Sequence, residues 1–158
     1  MQSPLMWQSP WTIDSKILVE PEPVEAIDRY RQDHHSKAEA GGILLGYRRE
    51  AHLHVTVATV PQPSDQRWRF WFSRSYKYHQ QVALQHWEAS VGEMDYLGEW
   101  HTHPEGSPMP SSLDLSEWRK IYFGRTNPMI FAILGWSGEL WVGMSGDGCV
   151  KRCIQIPE

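Results

Sequence analysis

Two histidines one residue apart, His101 and His103, precede Pro104, a loop rich in Gly, Ser and Pro, and then Ser111 and Asp114. On a strand, residues i and i+2 point to the same face. Both imidazoles can therefore converge on one cation, with Zn–N bonds of about 2.0–2.1 Å. Pro104 cannot donate to a β-ladder, so the strand stops there and the pair sits at the sheet's end. Asp114 falls in the first turn of an expected helix, where the dipole favours a carboxylate. Two histidines and one aspartate leave a fourth tetrahedral position for water, which is the coordination of a catalytic zinc. Such an ion lowers the pKa of its water to about 7. The chemistry implied is metal-assisted hydrolysis.

Ser111 admits two roles. At a helix start it can cap the first turn. It can also donate to the oxyanion that forms when an amide carbonyl is attacked. Position does not choose between them, and Ser112 can take the cap instead. The chain carries its own control in a second pair, His52 and His54, which has no third ligand after it and reads as a solvent-facing strand surface. His34, His35, His79 and His86 lack ligand-like surroundings and read as surface or satisfied core positions.

These residues need elements to position them. "SKILVE" (15–20) reads as a strand and "PEPVEAIDRYRQ" as a helix opened by prolines. "AGGILLGYRRE" (40–50) and "AHLHVTVATV" (51–60) read as an antiparallel hairpin, with Leu53, Val55 and Val57 on one face. "RWRFWFS" is a strand-like segment, with Arg67, Arg69 and Arg74 set among aromatics on its wet face. "SRSYKYHQQVALQHWEAS" (73–90) reads as a helix capped by Ser73 or Ser75, with Tyr76, Val82, Leu84 and Trp87 as a partial apolar stripe. A strand over 95–103 carries the histidines and a helix over 111–123 carries Asp114. Three strands close the chain: "MIFAILGW", "ELWVGMS" and "CVKRCIQI". The fold class expected is α/β, one domain with a mixed, largely antiparallel sheet and about three helices. Residues 1–14, with Pro4 and Pro10, read as an extended N-terminal arm.

The chain has 158 residues, enough for one domain with a core of its own. A net charge of -4 gives no general reason to bind nucleic acid. No apolar run approaches the roughly 20 residues that span a bilayer, and the N-terminus lacks a basic and apolar signal pattern. A cytoplasmic location without membrane attachment is expected. Cys149 and Cys153, four apart on one expected strand, would lie roughly 13 Å apart, too far to bridge. Both are expected as buried free thiols.

The spacing H-x-H-P-x6-S-x-x-D, carried by His101, His103, Pro104, Ser111 and Asp114, resembles that of the JAMM (MPN+) metalloprotease family. The resemblance runs from the "ILVE" strand to the end, which makes 15–158 one JAMM/MPN+ domain. It implies zinc held by His101, His103 and Asp114, and an upstream glutamate as base. In "KAEAGGILLGY" that glutamate is Glu39, beside Gly41 and Gly42. Glu99 shares the face of the histidines and is the rival. Its other role is to partner a ligand from behind. Thr102 and Trp100 point to the opposite face, and Trp118, one helical turn past Asp114, reads as packing.

Within the family, "EAGGILLG", "GEWHTHPE" and "PSSLDLSEW" look like the stand-alone peptidases of CBASS anti-phage operons. That likeness implies an isopeptidase of deubiquitinase type. Its partner would be the extended C-terminal tail of a conjugated protein, a cGAS-like nucleotidyltransferase, with 61–72 and 104–110 as groove walls. Two alternatives stand beside it. One is a peptidase for a sulfur-carrier or other ubiquitin-like precursor. The other is a zinc-stabilised protein-binding module.

Overall fold

The computed structural model describes residues 2–68, 71–73 and 76–158, and only the backbone of Trp68, Trp71, Phe72, Ser73, Tyr76 and Lys77. The expected Ser75 cap and the side chains of Arg69, Arg74, Ser73 and Tyr76 lie outside what it describes.

Eleven strands and three helices follow one another among the described residues. The strands are β1 (Leu5–Gln8), β2 (Lys16–Val19), β3 (Gly41–Arg49), β4 (His52–Ala58), β5 (Gln66–Trp68), β6 (Trp71–Ser73), β7 (Asp95–Thr102), β8 (Ile130–Leu134), β9 (Leu140–Gly146), β10 (Cys149–Arg152) and β11 (Ile154–Ile156). The helices are α1 (Pro21–Asp28), α2 (Tyr76–Ala89) and α3 (Ser112–Tyr122). Nine strands form one sheet in the order β10-β9-β8-β7-β3-β4-β2-β1-β11, while β5 and β6 pair by themselves. The β2–β4 and β7–β8 pairs are parallel and the others antiparallel. The mixed α/β sheet with three helices is as the sequence implied.

The β7–β8 pairing positions the site. Parallel neighbours need a long crossover. Here α3 supplies it, so the helix starts just beyond the C-terminal end of β7, where ligand sites of such units form. β8 reads "IFAIL" because both of its faces are covered. Ile130, Ala132 and Leu134 join a core with Trp7, Ile17, Leu44 and Trp100. Met129, Phe131 and Ile133 join a second core with Trp118 and Trp141. α1 contributes Ile27 to the first core, and Trp118 of α3 belongs to the second.

Three expectations need correction. Residues 2–14 do not form an arm apart from the domain, because β1 lies between β2 and β11 and buries Trp7 at 2% exposure. Two prolines suggested a tether, but the apolar "LMW" between them pairs instead. "CVKRCIQI" is two strands rather than one: β10 pairs with β9 and β11 with β1, at opposite ends of the sheet order. The sheet therefore curls until its edges approach, and the Trp11 indole donates to the Met144 carbonyl at 2.9 Å. Only Cys153 is buried, since it sits at that break and faces the core, whereas Cys149 is exposed. Burial in apolar surroundings pushes the Cys153 thiol up to about 12. The stripe on α2 is only partly covered, leaving Leu84 and Trp87 54% and 50% exposed. "RWRFWFS" contributes to a two-stranded ribbon, with Gln66 opposite Ser73 and Arg67 opposite Phe72.

Because β1 completes the sheet, Trp7→Ala is expected to destabilise the protein by about 3–5 kcal/mol, as for other buried aromatics. Denaturant unfolding checks it, and an unchanged midpoint would restore the segment to an arm.

Candidate active site

β7 delivers the histidines. Trp100 and Thr102 face one core, and His101 faces the other side with His103, which lies just beyond the strand's end. The His103 amide still donates to the Leu134 carbonyl at 3.0 Å, so β8 holds this last residue in line. The two Nε2 atoms lie 3.0 Å apart and both rings are largely buried.

α3 delivers Asp114. Ser111 is the N-cap, and its Oγ accepts from the Asp114 amide at 3.0 Å while Asp114 Oδ2 accepts from the Ser111 amide at 2.8 Å. This is a reciprocal capping box. Ser111 therefore caps, and Ser112 does not. The cap uses Oγ as acceptor and leaves the hydroxyl hydrogen to be donated elsewhere. Trp118 sets the depth of the helix by stacking on Phe131 and Trp141 at 4.8 and 5.6 Å, with its ring 6.0 Å from that of His101. One turn earlier, Asp114 then meets both histidines, with Oδ1 3.3 Å from His101 Nε2 and Oδ2 3.1 Å from His103 Nε2.

Glu39 arrives from another segment, two residues before β3 rather than on it. One ligand atom from each of Glu39, His101 and His103 lies within 4.8 Å of the others. Ala40 and Thr102 tie the two segments together. The Thr102 amide donates to the Ala40 carbonyl, and the Ala40 amide to Thr102 Oγ1, both at 2.9 Å. The Thr102 hydroxyl donates onward to Gln32 Oε1 at 2.8 Å. Gly42 makes the next contact possible: a side chain there would run into the Thr59 backbone and would lie 2.8 Å from the Trp100 indole nitrogen. That nitrogen donates to the Thr59 carbonyl at 2.8 Å.

The electrostatics separate the two carboxylates. Burial pushes Glu39 up to about 8, with Asp114 adding to the rise and His103 opposing it. Burial also acts to raise Asp114, but hydrogen bonds from His101 and His103 overcome it and hold the group far below the usual carboxylate range. Burial pulls the His103 imidazole down, yet the hydrogen bond and charge of Asp114, with Glu39 and Glu105, leave it above its ordinary value.

A divalent ion fits this arrangement. Ligand atoms about 2.0–2.1 Å from a shared tetrahedral ion lie about 3.3 Å from each other. The Nε2 atoms here lie 3.0 Å apart, with His101 Nε2 3.3 Å from Asp114 Oδ1 and His103 Nε2 3.1 Å from Asp114 Oδ2. Two ring nitrogens facing each other also need something between them, either a proton or a metal. Imidazole with carboxylate is a donor set that suits zinc.

All five residues singled out in the sequence therefore meet at one end of the sheet. Glu99 Oε1 accepts from the Tyr96 hydroxyl at 3.4 Å, back along β7. The control pair does not converge: His52 Nδ1 accepts from the Lys16 amide at 3.1 Å and His54 Nε2 lies 2.7 Å from Glu20. His79 is a satisfied core histidine, bonded to Thr59 and Asp65. Sequence reasoning missed two neighbours. Glu105 Oε1 lies 3.2 Å from the buried His103 Nδ1 but off the line of a hydrogen bond, so the contact is one of charge. Arg67 binds the main chain at Glu39 through Nε at 3.0 Å. The carboxylate following "HTHP" was a signal for the first, whereas the second has none.

Over residues 21–143 the chain matches the family of prokaryotic homologs of the JAB domain, and it belongs to that family. It is similar to a "CD-NTase/cGAS isopeptidase" of Escherichia coli (strain TW11681), at 37% identity over 88% of each chain. To a protein of the same description from Pseudomonas aeruginosa (strain BWHPSA011 / Pa011) it is 40% identical, over 84% of this chain and 86% of that one. Among solved structures it resembles protein DSY2949 from Desulfitobacterium hafniense, with a TM-score of 0.61 and 18% identity over 86% of this chain and 88% of that one. That last likeness is one of fold.

Asp114 is what keeps His103 raised, so Asp114→Asn is expected to lower the His103 pKa in the metal-free protein. An NMR titration of the imidazole checks the direction, and an unmoved midpoint would contradict the assignment.

Proposed function

We propose that the chain is a zinc-dependent isopeptidase that cuts after the C-terminus of a protein conjugated to a target, the conjugated protein being a cGAS-like nucleotidyltransferase. The observation that carries this reading is the meeting of two imidazoles and one carboxylate at a single point, with a second, protonatable carboxylate beside them. The relatives described as CD-NTase/cGAS isopeptidases support the substrate class. The place of action proposed is the cytoplasm. No helix among the described residues is long and apolar enough to cross a membrane.

His101, His103 and Asp114 would hold the metal. Bound zinc would supply a water whose pKa is lowered to about 7 and an electrophile for the scissile carbonyl. Glu39 would serve as the proton carrier, accepting a proton from the attacking water and delivering it to the leaving lysine amine. The Ser111 hydroxyl donates to the carbonyl oxygen as it gains charge. The substrate tail lies along the cavity of about 330 Å³ between α2 and α3, which is lined by Ile43, His79, Tyr96 and Lys120. One of its lining residues, Ile43, pairs in the sheet with Glu99, two residues before His101.

Incubation with a fusion carrying a nucleotidyltransferase tail, followed by intact mass, tests the activity. Cleavage is expected immediately after the tail, and a chelator is expected to stop it. Glu39→Gln is expected to abolish turnover with zinc stoichiometry unchanged, whereas Asp114→Ala loses both. Ser111→Ala is expected to lower turnover about 10²-fold, in keeping with an oxyanion donor. Hydrolysis that survives chelation, or a full-rate Glu39→Gln, would refute the mechanism.

A further inference from the structure

Glu39 lies at the end of an irregular segment, before the first residue that β3 pairs with β7. A general base must keep its position, and the link of Ala40 to Thr102 fixes this one only from its C-terminal side. Arg67 holds the other side. Its Nε donates to the Glu39 carbonyl at 3.0 Å, and its second amino group reaches the Ala38 carbonyl at 3.4 Å. The guanidinium also lies 5.6 Å from the centre of the Tyr30 ring, which in turn packs 6.1 Å from Trp100. A planar fork of donors suits two successive carbonyls, and an aromatic face restricts its tilt.

Arg67 is itself held from behind. It follows Asp65 by two residues, at the foot of the β5–β6 ribbon. Asp65 Oδ2 accepts from the Gln62 amide at 2.8 Å and lies 3.1 Å from His79 Nε2. His79 Nδ1 lies 2.6 Å from Thr59 Oγ1, which accepts from the Ile43 amide at 2.9 Å. The side chains of His79 and Asp65 are 1% and 0% exposed. The contacts thus run from β3 through Thr59 and His79 to Asp65, the chain continues from there to Arg67 two residues on, and Arg67 reaches back to the residues just before β3.

We propose that Arg67 is a positioning residue for catalysis: through the Glu39 main chain it holds the carboxylate in place beside the histidines, with the Thr59–His79–Asp65 relay as its anchor. The inference rests on Glu39 acting as the base. Arg67 acts on geometry through the backbone, so its loss should appear in turnover and not in binding.

Full-length wild type, Arg67→Ala, Arg67→Lys and Glu39→Gln are compared on the tail-fusion substrate. Zinc content, melting temperature and amide exchange of the metal-free proteins are measured alongside. Arg67→Ala is expected to lower kcat by about 10- to 10²-fold, as small misplacements of reacting groups do, with KM and zinc content unchanged. Exchange at Ala40 and Gly41 should quicken while β8 and β9 stay protected. Arg67→Lys, which keeps one donor, should recover part of kcat. A raised KM at wild-type kcat would make Arg67 a substrate contact and overturn the inference. Equal losses in Ala and Lys with a lowered melting temperature would make it structural and overturn it too. If Glu39→Gln turns over normally, the base is misassigned and this inference fails with it. If Glu39→Gln is dead and Arg67→Ala keeps its kcat, this inference alone fails.

Discussion

Two imidazole nitrogens held 3.0 Å apart, with one carboxylate touching both, is the arrangement that the rest of the structure serves. It is costly to maintain. The groups are largely out of water, two like-charged rings cannot be tolerated at that range, and a buried carboxylate needs its partners. Asp114 meets part of the requirement by serving two ends at once. Oδ2 accepts from the first helical turn at 2.8 Å and also faces His103 at 3.1 Å. The start of α3 and the shape of the site are thus one interaction, so neither can shift without the other.

The framework around it follows from topology. A parallel β7–β8 pair forces a crossover, and the crossover helix starts where β7 ends. Trp118 then decides how deep and at what roll α3 sits. It is the one buried residue of a helix whose Leu113 and Leu115 remain exposed. Its stack on Phe131 and Trp141 is therefore what turns Asp114 inward. A residue that reads as packing in the sequence does pack, and its packing aims the carboxylate.

The legible parts were those governed by short-range rules. The alternation of β7 put His101 and His103 on one face, and the capping chemistry of Ser111 and Asp114 marked the start of α3. Gly42 beside Glu39 signalled a close approach, which Thr59 makes. What the sequence concealed was long-range. Nothing in "SPLMWQSP" shows that it meets "IQI" from the far end of the chain. One apolar run can also serve two sheet edges when a single residue between them turns into the core, as Cys153 does. Arg67 was hidden for the same reason. A basic residue among aromatics looks like the wet side of a strand, and its carbonyl partners carry no side-chain signature.

The separation of the two carboxylates gives the proposed mechanism its direction. Glu39 and Asp114 are both buried against the same pair of rings, yet one is pushed up to about 8 and the other held far below the ordinary range. The difference lies in their partners. Asp114 receives hydrogen bonds from both imidazoles and from its own helix start, all of which favour the charged form. Burial dominates at Glu39, and the nearby Asp114 charge adds to it, so in the metal-free protein its carboxyl stands well above the usual carboxylate range. In the proposed mechanism these two environments go with different work, Asp114 as an anion beside the rings and Glu39 as a carrier of protons. The division depends on Glu39 staying close enough to feel Asp114 without sharing its donors. The Ala40–Thr102 pair and the Arg67 fork limit that distance from either side.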